Sequence, residues 1–200
     1  MEKRGLTQNS METTLIAITG GIGSGKSYLL SILKEMGEQT ISCDEITNWL
    51  YQTPEVIKTV GKMFPRAKKG FFKKSLDKKI IAKEVFADKQ KHKELTDYLT
   101  PIILQESLSQ AKKMQGRVFV EVPLLFECEA QGHFDKIVVV VRDKDQRIQS
   151  VKQRSKLTEE EVLQRMQTQF DYDGADLSKY VVIVNDKDRQ HLKDQITKIL

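Results

Sequence analysis

The octapeptide Gly20-Gly21-Ile22-Gly23-Ser24-Gly25-Lys26-Ser27 satisfies the pattern G-x-x-x-x-G-K-[ST]. Glycines let such a loop wrap closely around phosphate oxygens with its backbone N–H groups turned inward. A helix that follows offers its positive N-terminal end to the same anion. Gly21, Ile22, Gly23, Ser24, Gly25, Lys26 and Ser27 are therefore candidate ATP-binding residues. The Lys26 ammonium is expected to reach the β- and γ-phosphates, and the Ser27 hydroxyl is the candidate Mg²⁺ ligand. The loop implies nucleoside-triphosphate chemistry without saying which reaction.

Three other residues have types suited to phosphoryl transfer. Asp44 follows a short apolar strand pattern, Thr40-Ile41-Ser42. A carboxylate there either accepts or orients the proton of an acceptor hydroxyl, or caps the helix from Glu45 onward. Arg147 and Arg154 stand seven apart, two turns along one helix side. Such a pair either closes over a triphosphate or forms a solvated basic face. Glu121 ends an apolar strand and could serve Mg²⁺ in a motor-type ATPase, but a large helical insertion suits an acceptor-binding domain better. A GTPase is disfavoured. Asp171-Tyr172-Asp173-Gly174 matches D-x-x-G but follows a predicted helix, and Asn185-Asp186-Lys187-Asp188 is not N-K-x-D. His92, His133 and His191 are scattered and form no ligand-spaced cluster with Cys43 or Cys128, so a transition-metal site is not expected.

The elements that must position these residues alternate between strand and helix. Leu15–Ile18 reads as a buried strand running into the glycine loop, and Tyr28, Leu29, Ile32, Leu33 and Met36 recur at helical spacing before Gly37. Further strands are predicted at Thr40–Ser42, Val118–Val122, Lys136–Val141 and Val181–Val184. Helices are predicted from Asp143 through Arg154, from a capping box at Thr158 to Phe170, and at the C-terminus. Residues 45–115 read as mainly helical, broken by Gly61, Pro65 and Gly70 and kinked at Pro101. The pattern predicts an α/β fold with a parallel sheet and a helical insertion. Residues 1–13 are polar and predicted to form a flexible tail.

Composition narrows the setting. With 39% hydrophobic and 30% charged residues over 200 positions, the chain is a globular sequence rather than a disordered one. The longest aliphatic run, Ile137–Val141, is far too short to cross a bilayer, and no apolar block follows Lys3 and Arg4 as a secretory signal requires. Two cysteines make no disulfide framework, so a cytoplasmic setting without membrane attachment is expected. The net charge of +5 is uneven. Lys62–Lys93 holds twelve basic residues against three acids, net +9, leaving −4 for the rest. This segment is either a solvated lysine surface or a phosphate-attracting wall. Phe71, Phe72 and Phe86 show no spaced stacking pattern, and no nucleic-acid partner is expected.

Taken together the motifs resemble those of the dephospho-CoA kinase family. The resemblance covers Leu15 to Leu200 and rests on Ile18–Ser27, on Asp44, and on Leu76-Asp77-Lys78-Lys79 through Val85-Phe86. It rests further on Val122-Pro123-Leu124-Leu125-Phe126-Glu127, Gln153-Arg154, Arg165-Met166-Gln167-Thr168-Gln169 and Ile183-Val184-Asn185. The resemblance implies a P-loop core with a five-stranded parallel sheet at residues 14–50 and 116–200. It adds a helical CoA-binding insertion at 51–115 and a lid at 143–170, together one kinase domain over 14–200. It implies transfer of the γ-phosphate of ATP, with Mg²⁺, to the ribose 3′-hydroxyl of 3′-dephospho-CoA, by a monomer or weak homo-oligomer. By resemblance Asp44 is the base, and Lys26 and Arg154 are phosphate clamps, with Arg147 and Asn185 also on the ATP side. Asp44, Lys78, Pro123, Leu124, Leu125 and Glu127 fall on the acceptor side. Departures fall at Tyr28, Ser42, Lys78, Thr100 and Lys179-Tyr180; Lys78 keeps the charge of the family's arginine without its bidentate geometry. The rival readings are another small-molecule P-loop kinase acting on a nucleotide or nucleoside, and an inactive nucleotide-binding module.

Overall fold

Five short strands form one parallel sheet: β1 (Thr14–Thr19), β2 (Gln39–Ser42), β5 (Arg117–Glu121), β6 (Lys136–Val141) and β7 (Val181–Val184). Their order across the sheet is β2-β5-β1-β6-β7. The computed structural model describes residues 13–70, 75–155 and 157–200. Apart from Thr13, the expected flexible tail lies outside the described residues, as do Phe71, Phe72, Lys73 and Lys74. Contacts divide the chain into two compact units, one comprising the chain up to Ile41 with Gln110–Leu200, the other Ser42–Ser109.

In the first unit, β1 is central. It pairs with β5 in a register that sets Ile18 beside Glu121, and with β6 in one that sets Thr19 beside Val139. Chain order reverses around β1, and in open α/β sheets the crevice beyond such a strand's carboxyl end is where ligands lie. Side chains alternate faces along a strand. Ile16, Ile18, Val138 and Val140 thus meet Leu29, Ile32 and Leu33 of α1 (Lys26–Glu35) and Leu192 and Ile196 of α8 (Arg189–Thr197) in one buried cluster. Each such fully buried aliphatic side chain contributes about 1.5–3 kcal/mol. A second cluster joins α6 (Lys144–Ser155) to α7 (Glu159–Gln167) through Ile148, Val151 and Val162, and Ile22 of the glycine loop packs against it.

The strands sit where the apolar runs predict, the third beginning at Arg117 and ending at Glu121. The Thr158 capping box is present in full, but α7 stops at Gln167 rather than at Phe170. Thr168 closes its last turn, and the chain then leaves the helix axis. At the sheet's edge Val182 and Val184 face outward, and the Gln195 side chain of α8 bonds both backbone groups of Val184. Its Oε1 accepts from the Val184 N–H at 2.9 Å and its Nε2 donates to the carbonyl at 2.8 Å.

The second unit is helical, with α2 (Cys43–Leu50), α3 (Pro54–Met63), α4 (Lys78–Ala87) and α5 (Lys89–Ala111). The two-residue strands β3 (Lys68–Lys69) and β4 (Ser75–Leu76) pair antiparallel. Ile46, Leu50, Val56, Val60, Phe64, Ile81 and Leu99 are buried. Gly61 does not break α3 as expected. It is buried inside the last helical turns, where the Lys68 side chain crosses it and a Cβ would lie 3.0 Å from the lysine Cε. Pro101 lies inside α5, which continues to Ala111. Asp77 caps α4, its carboxylate accepting from the N–H groups of Lys79 and Ile80.

Candidate active site

The glycine loop closes β1 onto α1 with side-chain-free backbone where space is least. Gly20 has φ 146°, and a Cβ there would lie 2.2 Å from the Val140 carbonyl oxygen. Gly25 caps α1 in the left-handed region at φ 98°, against the Asn185 side-chain amide. Both positions therefore require glycine. Lys26 opens α1 and folds back on the loop, its Nζ donating to the carbonyls of Gly20 at 2.6 Å and Gly21 at 3.1 Å. The Ser27 hydroxyl donates to Glu121 Oε1 at 2.9 Å, and Glu121 is only 2% exposed. The β1–β5 register produces this pair by setting Glu121 beside Ile18, two residues before the loop.

Two distant segments hold the loop in place. The buried Tyr172 hydroxyl shares a 3.0 Å hydrogen bond with Thr19 Oγ1, and Gln169 Oε1 accepts from the Ile22 N–H at 2.7 Å. Burial, opposed by its bond to Thr19, pushes the Tyr172 phenol up to about 12, so it stays protonated at neutral pH. Asn185 also acts on the loop, its Nδ2 donating to the Ser24 carbonyl at 2.8 Å.

Arg147 is not on a solvated face. It is 4% exposed, its guanidinium lies against Gly21, and its Nη2 pairs with Asp173 Oδ2 at 2.5 Å. Its Nε has no hydrogen-bond partner among the described residues. Arg154 lies two turns on, in the last turn of α6, and is exposed. The two arginines that look equivalent in sequence thus occupy different environments. A cavity of about 320 Å³ opens between Gly21, Lys144, Arg147, Gln169, Tyr172 and Asp173, and Arg154 does not line it.

The Pro123–Glu127 segment folds into tight turns, with Cys128 N donating to the Leu124 carbonyl and Ala130 N to that of Leu125. Leu125 is fully buried, so it packs the core of this unit. Pro123 and Leu124 are half-buried, whereas Glu127 is exposed and its Oε1 accepts from the Phe170 N–H at 2.9 Å. Burial and then the neighbouring Glu127 carboxylate push the Cys128 thiol up, which disfavours a reactive thiolate.

Within the helical unit, Asp44 and Asn48 share one face of α2 by their i, i+4 spacing. Lys78 donates to Asn48 Oδ1 at 2.5 Å and lies 4.9 Å from the centre of the Tyr51 ring. The fold thus gathers Asp44 and Lys78 about one helix face. Asp44 does not cap α2. Ser42 is the N-cap and Asp44 is exposed in the first turn, because the helix starts at Cys43 directly from the strand.

Sequence reasoning gave no role to Tyr172 or Asp173 and considered Glu121 only for a motor ATPase. Their partners lie far away along the chain, Thr19 being 153 residues from Tyr172, and no local pattern marks such pairs.

The chain matches the family model described as dephospho-CoA kinase over residues 14–191. A dephospho-CoA kinase from Chlorobaculum tepidum is 31% identical, with 92% of each chain covered. A solved structure from Thermus thermophilus superposes with a TM-score of 0.77 at 27% identity, covering 94% of this chain and 96% of that one. A dephospho-CoA kinase from Campylobacter jejuni does so with a TM-score of 0.67, at the same identity and coverage.

Proposed function

Because this chain belongs to the dephospho-CoA kinase family, we propose that it transfers the γ-phosphoryl group of ATP to the ribose 3′-hydroxyl of 3′-dephospho-CoA, giving coenzyme A and ADP. The observation that carries this reading is the family match over residues 14–191 together with a complete phosphate loop at the end of the central strand.

In this reading the loop's N–H groups and the N-terminus of α1 hold the donor phosphates. Lys26 gives up its contacts with the loop carbonyls and moves to the β- and γ-phosphates, where charge develops. Phosphoryl transfer needs mainly positioning and charge stabilisation, and fixed cations supply both. Arg147, once released from Asp173, faces the same cavity, and Arg154 approaches from solvent. Asn185 shapes the loop through Ser24. The Ser27 hydroxyl and the Glu121 carboxylate are oxygen donors 2.9 Å apart, which fits Mg²⁺, an ion usually held by one or two protein oxygens with phosphate and water. Bound there, Mg²⁺ would neutralise charge on the β- and γ-phosphate oxygens.

Asp44 accepts or orients the 3′-hydroxyl proton, and Lys78 meets anionic groups of the acceptor. Pro123 and Leu124 offer partly exposed apolar surface to the acceptor. A coupled ADP-release assay tests the whole reading. Turnover with 3′-dephospho-CoA is expected; turnover only with a nucleoside monophosphate would replace this acceptor.

A further inference from the structure

Glu127 falls in the acceptor-like segment by resemblance, yet its carboxylate is engaged elsewhere. Its Oε1 accepts from the backbone N–H of Phe170. The residue just before Phe170 is Gln169, whose own Oε1 accepts from the Ile22 N–H in the phosphate loop. Between these two bonds the segment is also clamped by rings. Phe170 stacks on Phe126 at 4.3 Å between centroids and meets Tyr172 edge-on at 5.1 Å, and Tyr172 reaches Thr19 at the loop's start. The chain from Gln169 to Tyr172 therefore touches the end of β1 at Thr19 and the loop itself at Ile22, and is fixed from behind by Glu127 and Phe126.

We propose that Glu127 is a positioning residue of the donor site: it fixes the backbone at Phe170 so that the Gln169 side chain holds the Ile22 N–H and sets the phosphate loop's first turn. A carboxylate bonded to a backbone N–H makes a strong, short-range anchor. The Ile22 N–H would otherwise leave a donor without a protein partner in a half-buried loop, and the loop's shape is what the phosphates read. On this account Glu127 governs the affinity for ATP and not for the acceptor. The inference rests on the reading that this loop holds the triphosphate.

The test measures equilibrium binding of a non-hydrolysable ATP analogue, KM for 3′-dephospho-CoA and the melting temperature for each variant. Gln169→Met keeps the side chain's length without an acceptor, and analogue binding is expected to weaken about tenfold with acceptor KM unchanged. Glu127→Met is expected to do the same. Glu127→Gln keeps a carbonyl oxygen for the Phe170 N–H and is expected to stay within about threefold of the unaltered protein. The double variant Gln169→Met with Glu127→Met is expected to be no worse than either single one, since the two act in series. If Glu127→Gln fails as badly as Glu127→Met and the loss lies in acceptor KM, Glu127 touches the acceptor and the proposal is overturned. Unchanged analogue binding in Gln169→Met overturns it as well. Lys26→Ala separates the two levels: if it leaves analogue binding intact, the donor-site reading itself fails and the proposal falls with it.

Discussion

The phosphate loop and the α2 face that carries Asp44 hold their charged side chains by opposite means. In the loop, backbone does the holding. Gly20 sits where no Cβ fits, Gly25 adopts a left-handed conformation, and the Ile22 N–H and Ser24 carbonyl are each bound by side chains from remote segments. On α2, side chains hold one another. Lys78 rests on Asn48 and the Tyr51 ring, and Asp44 projects from the first helical turn into solvent. A site framed by backbone is rigid and tolerates almost no substitution, whereas one framed by exposed side chains is adjustable. That contrast matches what the two proposed substrates demand. The triphosphate must be gripped in one geometry, and a long flexible acceptor must be admitted and released.

The sharpest way to break this contrast is Gly20→Ala. The new Cβ would collide with the Val140 carbonyl, which cannot move without disturbing the sheet. ATP binding is expected to be lost, with destabilisation of more than about 2 kcal/mol read by denaturant unfolding. Tight ATP binding in this variant would show that the loop is not framed by its backbone.

Asp44→Asn is expected to lower turnover by about 10²–10⁴-fold if Asp44 takes the acceptor proton, and by less if it only orients the hydroxyl, because a loose transition state needs little base assistance. Since Ser42 caps α2, the change costs at most the first-turn charge effect of about 0.3–1 kcal/mol. Turnover and melting temperature on the same sample separate chemistry from stability, and full turnover would remove Asp44 from the reaction.

Lys78→Ala is expected to raise the acceptor KM by about tenfold while leaving kcat and ATP binding close to native, as loss of an exposed charge contact does. A fall in kcat instead would mean that this face is as exacting as the loop. The smallest effect concerns Asp77, whose carboxyl is held below the ordinary carboxylate range, first by its bond to Lys69, which outweighs the opposing effect of burial, and then by the α4 N–H groups. A depressed folded pKa means stability that is present above the usual value near 3.8 and lost as pH falls through the folded value. Asp77→Asn keeps the cap and loses the charge. Its melting temperature is therefore expected to lie slightly below the native one at pH 7, with the gap closing below pH 4. A gap independent of pH would assign the effect to packing.

The framed half of the molecule was the more legible in sequence. Its strands are short apolar runs, its loop has a fixed spacing, and the Thr158 capping box is local chemistry; all three appear where their residues predict. What was not legible depends on distant pairing. Arg147 and Arg154 have the same helical periodicity, and only the approach of Gly21 and Asp173 makes one of them buried. The cap alternative for Asp44 stood because nothing local reveals that the helix begins two residues before Glu45, at Cys43, with Ser42 as its cap. Gly61 looked like a breaker because its fit beneath Lys68 is tertiary.

The bond pair between Gln195 and Val184 bears on how the protein behaves when crowded. An edge strand with free outward N–H and C=O groups is a template on which another chain can add a strand. The Gln195 amide occupies that position at Val184 as a neighbouring peptide group would, on the strand whose valines are the most exposed of the sheet. A chain seeking to extend the sheet must first displace a side chain already bonded twice. Gln195→Ala is expected to leave catalysis untouched and to shorten the lag before turbidity at high protein concentration; an unchanged lag would mean that this edge is guarded by its short length alone.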